Sequence, residues 1–149
     1  MRWRLLGVVP LVNASNADVT RSARQRAAAE LVFCPAGQAG HVTYTETDDG
    51  WLRAEVALDG EQIPVDLAVD ARGDVSALRM LRWGDPGDTG VFGYHRFGAD
   101  LSEPRDVGGV VIPTRMEAGW FYGTPRFASD GAFFRARVTD VRPAPDLAW

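Results

Sequence analysis

Apolar and polar side chains alternate with period two through the first half of the chain. In residues 51–58, Leu52, Ala54, Val56 and Leu58 fall on one side, with Trp51, Arg53 and Glu55 on the other. In residues 63–70, Ile63, Val65, Leu67 and Val69 alternate with Pro64, Asp66, Ala68 and Asp70. This alternation marks strands with one buried and one wet face. Residues 41–47 add a run rich in β-branched side chains. Between the runs stand Asp48-Asp49-Gly50, Asp59-Gly60 and Arg72-Gly73-Asp74, where Asp and Gly tolerate the left-handed backbone that tight hairpins need. The pattern predicts a meander of adjacent antiparallel strands that continues through residues 75–83. Arg72-Gly73-Asp74 also spells a cell-adhesion tripeptide, but here it reads as a turn.

The second half is organised around residues 108–137, where aromatics, glycines and arginines concentrate. The pattern there predicts two long strands joined by a turn. Upstream, Trp83-Gly-Asp-Pro-Gly-Asp-Thr-Gly90 reads as a surface loop, residues 92–98 as an aromatic loop, and Pro104 as the sign of an irregular or edge strand.

One helix is predicted, over residues 16–33. Ser15 or Asn16 caps its start, Asp18 suits the positive end of its dipole, and Pro35 stops it. Val19, Ala23, Ala27 and Leu31 recur every four residues and predict the buried stripe. Arg26 and Glu30 are spaced to form a solvated pair. Before the helix, residues 1–12 carry two arginines and an apolar run that Pro10 interrupts. This reads as a strand ending near Pro10 rather than a secretory signal, which leaves a cytoplasmic location as the expectation. The run is also far short of the about 20 residues that cross a bilayer.

Length and composition narrow the chemistry. A chain of 149 residues makes one domain with its own core. The formal net charge of −4 offers nucleic acid no general attraction, so a nucleic-acid partner is not expected. All 16 basic residues are arginine, which removes Schiff bases and lysine general bases. Cys34 stands alone among apolar neighbours and reads as a buried, inert thiol. No serine lies in a nucleophile elbow, and His41 and His95 lack any metal-ligand spacing. Asp66, Asp70 and Asp74 lack the alternation and central glycine of a calcium loop. No catalytic residue, cofactor or metal is therefore assigned.

Arg82-Trp83-Gly84, Phe97-Gly98, residues 109–114 ending Ile-Pro-Thr, Gly119-Trp-Phe-Tyr-Gly-Thr124, Arg126 and Gly131-Ala-Phe-Phe-Arg135 resemble, in order and spacing, an uncharacterised bacterial family known only as a domain of unknown function. Leu6 to Val12 and the helix positions Arg26 and Glu30 extend the likeness over nearly the whole chain. The resemblance implies upstream strands that this chain lacks. It also implies, by analogy, a curved antiparallel sheet around a helix, similar to lipoprotein-carrier proteins.

The expected fold is α+β: a single curved antiparallel meander of about seven or eight strands packed on the N-terminal helix. Three functions fit it. The first is a non-enzymatic module that binds an apolar or amphiphilic ligand between sheet and helix, contacted by Arg82, Trp83, Arg115, Trp120, Tyr122 and Arg135, with Arg82 and Trp120 foremost. Against this stands the account in which the arginines pair across strands with Asp66, Asp70, Glu55 or Glu117 while the aromatics fill the core. The second is an interaction unit that docks a partner, including a second copy of itself. The third is a hydrolase or isomerase using His95 with a carboxylate.

Overall fold

A computed structural model describes residues 2–5, 9–13, 17–34 and 40–141. Its largest element is a seven-stranded antiparallel sheet in simple meander order: β3 (Val42–Glu46), β4 (Leu52–Leu58), β5 (Glu61–Val69), β6 (Val75–Gly84), β7 (Gly93–Val107), β8 (Val110–Trp120) and β9 (Ala132–Arg137). One α-helix, α1 (Ala17–Glu30), continues into a 3₁₀ turn over Leu31–Phe33. The fold is α+β, as the alternation and the single helical pattern predict.

Register carries one oily face through the sheet. Ala54 stands opposite Val65, Leu67 opposite Leu78, Leu78 opposite Ala99, and Ala99 opposite Ala118. Each of these is buried, and α1 packs on the same face, mainly against β6 and then β5 and β4. Burying one leucine- or valine-sized side chain stabilises the fold by about 1.5–3 kcal/mol. This shared face is therefore the principal source of cohesion.

The helix turns a different side inward from the one its apolar spacing predicts. Ala23 and Ala27 are exposed, whereas Gln25, Ala28, Ala29 and Val32 are buried. Alanines surround this helix, so apolar periodicity discriminates weakly, and a polar contact fixes the rotation. Gln25 Oε1 accepts the backbone N–H of Trp83 at the end of β6, and the small side chains of Ala28 and Ala29 let the helix lie close to the sheet. Arg26 and Glu30 form the expected solvated pair, 2.6 Å apart. Cys34 is exposed rather than buried, because the tight turn before it sends Val32 inward and leaves the thiol beyond the core. The caps expected of Ser15 or Asn16 and the loop over residues 36–39 lie outside the described residues.

Three further expectations change. Residues 2–5 and 9–13 form an antiparallel pair, β1 (Arg2–Leu5) and β2 (Val9–Asn13), so the strand does not end at Pro10. In a two-stranded ribbon each strand has a free edge, and there a proline costs no ladder bond. Residues 93–98 are not a loop but the start of β7, paired along their length with β6. Pro104 sits deep in β7, yet β6 reaches only as far as Asp100, so this proline lies on a one-sided stretch that pairs with β8 alone. Finally, β8 and β9 are joined not by a simple turn but by an 11-residue connector, residues 121–131, which contains a π-helical turn over Phe127–Gly131.

The wet face is laced by arginine–carboxylate pairs. Asp66 is buried there, not solvated, because Arg53 and Arg79 close over it with contacts of 2.7 and 3.3 Å. Arg79 also reaches Asp49 at 2.6 Å and stacks on Trp51. Asp70 accepts the backbone N–H groups of Arg72 and Asp74, which makes Arg72-Gly73-Asp74 a hairpin turn. Since Asp66 joins β4, β5 and β6 through one carboxylate, Asp66→Ala is expected to lower stability by about 2 kcal/mol. Urea denaturation at constant slope checks this.

Candidate functional site

The helix covers only part of the oily face. It crosses β4 to β6, and beyond it β7, β8 and β9 leave a cleft. Ala29, Glu30 and Phe33 form one wall; Leu78, Phe97, Ala99, Met116, Ala118 and Trp120 form the floor; Phe133 and Phe134 form the far lip. The cleft holds about 140 Å³ and is open to solvent.

Local sequence sets each aromatic in place. Gly119 and Gly131 cross so closely that an added Cβ on Gly119 would lie 2.6 Å from Ala132 Cα. That crossing folds the connector back over β8 and holds Trp120 at the end of the floor. Phe121 then takes a left-handed backbone (φ 59°) and stacks under the Arg126 guanidinium at 3.8 Å, while Thr124 Oγ1 donates to Phe121 O. The Gly-Trp-Phe-Tyr-Gly-Thr element is thus a device for reversing the chain tightly around one indole. Gly84 serves the same end, since a Cβ there would stand 2.7 Å from Trp120 Cζ2. On β9 the pairing slips next to Gly119, and this bulge brings two consecutive side chains, Phe133 and Phe134, to the same cleft.

Arg82 is, among the described residues, the cation whose guanidinium lies over the aromatic floor of the cleft. Its guanidinium lies 4.7 Å from the Phe97 ring centroid and 5.1 Å from that of Trp120. Nε–H donates to Ser22 O at 3.4 Å and Nη2–H to Ser22 Oγ at 3.1 Å. No carboxylate lies within ion-pair distance of it among the described residues. A guanidinium carries five N–H donors, so three are left over. No fully buried side-chain nitrogen or oxygen is unpartnered among the described residues, so Nη1, which has no partner, reaches open space. Burial, reinforced by Arg26 and opposed by Glu30, holds the Arg82 pKa down to about 10.

A family of unknown function, DUF6920, matches residues 1–142. The chain belongs to that family. No curated protein and no solved structure matches it.

Of the residues singled out from sequence in this DUF6920 chain, Arg82 and Trp120 meet in the cleft. Trp83 does not line the cleft; its indole N–H donates to Asp18 at 2.9 Å and its ring packs edge-on to Tyr94. Arg115, Tyr122 and Arg135 lie on the opposite face. Arg135 pairs with Glu117, Arg115 with Glu103 at 3.5 Å, and Tyr122 donates to Asp100 at 2.7 Å. Burial first, and then the Asp100 carboxylate, hold the Tyr122 phenol well above its ordinary value. His95 packs edge-on to Trp120, with ring centroids 6.2 Å apart, and makes no hydrogen bond to a carboxylate among the described residues. Sequence reasoning assigns no site role to Phe33, Phe97 or Met116, and it counts Phe133 and Phe134 among the aromatics interleaved with arginines without naming them as contacts. The available signal was that pair, since two adjacent phenylalanines cannot both be buried by an alternating strand. No helix of the described residues is long and apolar enough to cross a membrane.

Proposed function

We propose that this DUF6920 chain is a non-enzymatic binding module whose cleft holds an amphiphile, with the apolar body between helix and sheet and an acidic head on Arg82. The observation that carries the reading is the Arg82 guanidinium. It is largely withdrawn from water, lacks a carboxylate partner among the described residues, and lines an apolar cleft. A buried charge without a counter-ion is costly, and a bound anion offsets that cost. Arg53, Arg79, Arg115 and Arg135 fit the opposite account, since each has an acidic partner on the wet face. Arg82 is distinguished from them by its surroundings rather than its type.

The test compares two molecules that differ only in the head. Octanoate is expected to bind in isothermal titration at least about tenfold more tightly than 1-octanol, the margin of one charge-assisted hydrogen bond. Equal affinities, or no binding by either, would sink the proposal.

A further inference from the structure

We infer that the ligand is a compact monoanion, an aromatic or short-chain carboxylic acid, and not a long-chain lipid or a phosphate ester. This rests on the reading of the cleft as an amphiphile site and narrows it by size, wall chemistry and charge.

Size comes first. A cavity near 150 Å³ accommodates a benzene ring, and the cleft encloses about 140 Å³. It thus takes an apolar body of about six carbon atoms. Any longer chain has to run out of the open cleft into solvent, where lining residues such as Phe133 are themselves exposed, Phe133 by 60%. Methylenes beyond the cleft gain little, because they stay in water.

The walls come second. Phe97 and Trp120 meet edge-on with centroids 5.3 Å apart, and Phe133 lies 6.3 Å from Trp120. These rings already pack on one another, and the aromatic wall they form offers a flat apolar body further edge-on and stacked contacts. The same two rings, Phe97 and Trp120, underlie Arg82, so a planar acid placed along them directs its carboxylate at the guanidinium.

Charge comes third. Among the described residues the cleft's charged groups are Arg82, Arg26 and Glu30, and Arg26 is held by Glu30. One positive charge is left, which a monoanion neutralises. A dianion would bring its second charge toward the Glu30 carboxylate, and like charges in a partly desolvated site repel. The leftover N–H groups of Arg82 match the two oxygens of one carboxylate.

Titration of the full chain with phenylacetate, a series of fatty acids up to hexadecanoate, and phenyl phosphate tests all three parts. Phenylacetate is expected to bind at least as tightly as octanoate. In the fatty-acid series the gain per methylene is expected to fall below twofold past about eight carbons, against about fourfold for a fully buried methylene. Phenyl phosphate at pH 7.5 is expected to bind at least tenfold more weakly than phenylacetate, and Glu30→Gln is expected to narrow that gap at least threefold. A steady fourfold climb to hexadecanoate, or phenyl phosphate binding as well as phenylacetate, overturns this inference and leaves the amphiphile reading standing. No binding by any acid overturns both.

Discussion

Gly119→Ala is expected to destabilise the protein by about 3–5 kcal/mol, close to the whole stability of a marginal domain. The cause is a collision, not a backbone preference. An added methyl on Gly119 would press on Gly131 O and stand 2.6 Å from Ala132 Cα. Both obstacles are main chain, held by the β8–β9 ladder on one side and the π-helical turn on the other, so neither yields as a side chain would. Thermal unfolding is expected to show a midpoint lower by about 10 °C. Gly73→Ala is the control. Gly73 has φ 89° with nothing within 4 Å of an added Cβ, so it meets conformational strain alone, about 1 kcal/mol. If the two variants lose equal stability, the close crossing is not what holds the connector.

The contrast between these glycines shows what sequence could and could not tell. Gly73 is legible as a turn residue because Arg-Gly-Asp between two alternating runs has a local meaning. Gly119 is not, because its constraint comes from Gly131, and nothing in a single strand announces that another backbone will pass over it. The meander was legible for the same local reason: period-two alternation in residues 51–58 and 63–70 fixes which side chains share a face before any pairing is known. The helix rotation was not. Its inward side was decided by Gln25 accepting from Trp83, a contact across 58 positions, and α1 is rich in alanine on every side. Residues 93–98 read as a loop because their glycines and aromatics have a loop's composition, while pairing with β6 along their length, and with β8 at Phe97 and Gly98, makes them strand. In the site, Arg82 and Trp120 stand together as expected, but Arg115, Tyr122 and Arg135 do not join them. Composition clusters residues along the chain, whereas the pleat of β8 and β9 sends Arg115 and Arg135 to the other face, and the connector carries Tyr122 there to Asp100.

Arg82→Met carries the largest expected effect on binding, and its effect on stability is the informative counterpart. Burial holds the Arg82 pKa down to about 10, so the charged guanidinium costs the native state about 2–3 kcal/mol at neutral pH. The sign follows from proton counts. Where the native chain binds fewer protons than the unfolded one, above pH 10, stability rises with pH, so the full cost stands below pH 10. Methionine removes that cost. It also removes the contacts to Ser22 and the stacking on Phe97 and Trp120, together worth about 3 kcal/mol. The two effects nearly cancel, and chemical denaturation of the ligand-free variant is expected to lie within about 1 kcal/mol of the parent. A buried arginine serving the fold through an ion pair would instead cost about 3–5 kcal/mol on removal. Affinity for octanoate is expected to fall about 50-fold or more, since the acid then enters a site with no donor for its head. Preserved stability with lost affinity marks a residue retained for a ligand. Lost stability with preserved affinity would make Arg82 a structural arginine and leave the cleft an ordinary gap beside the helix.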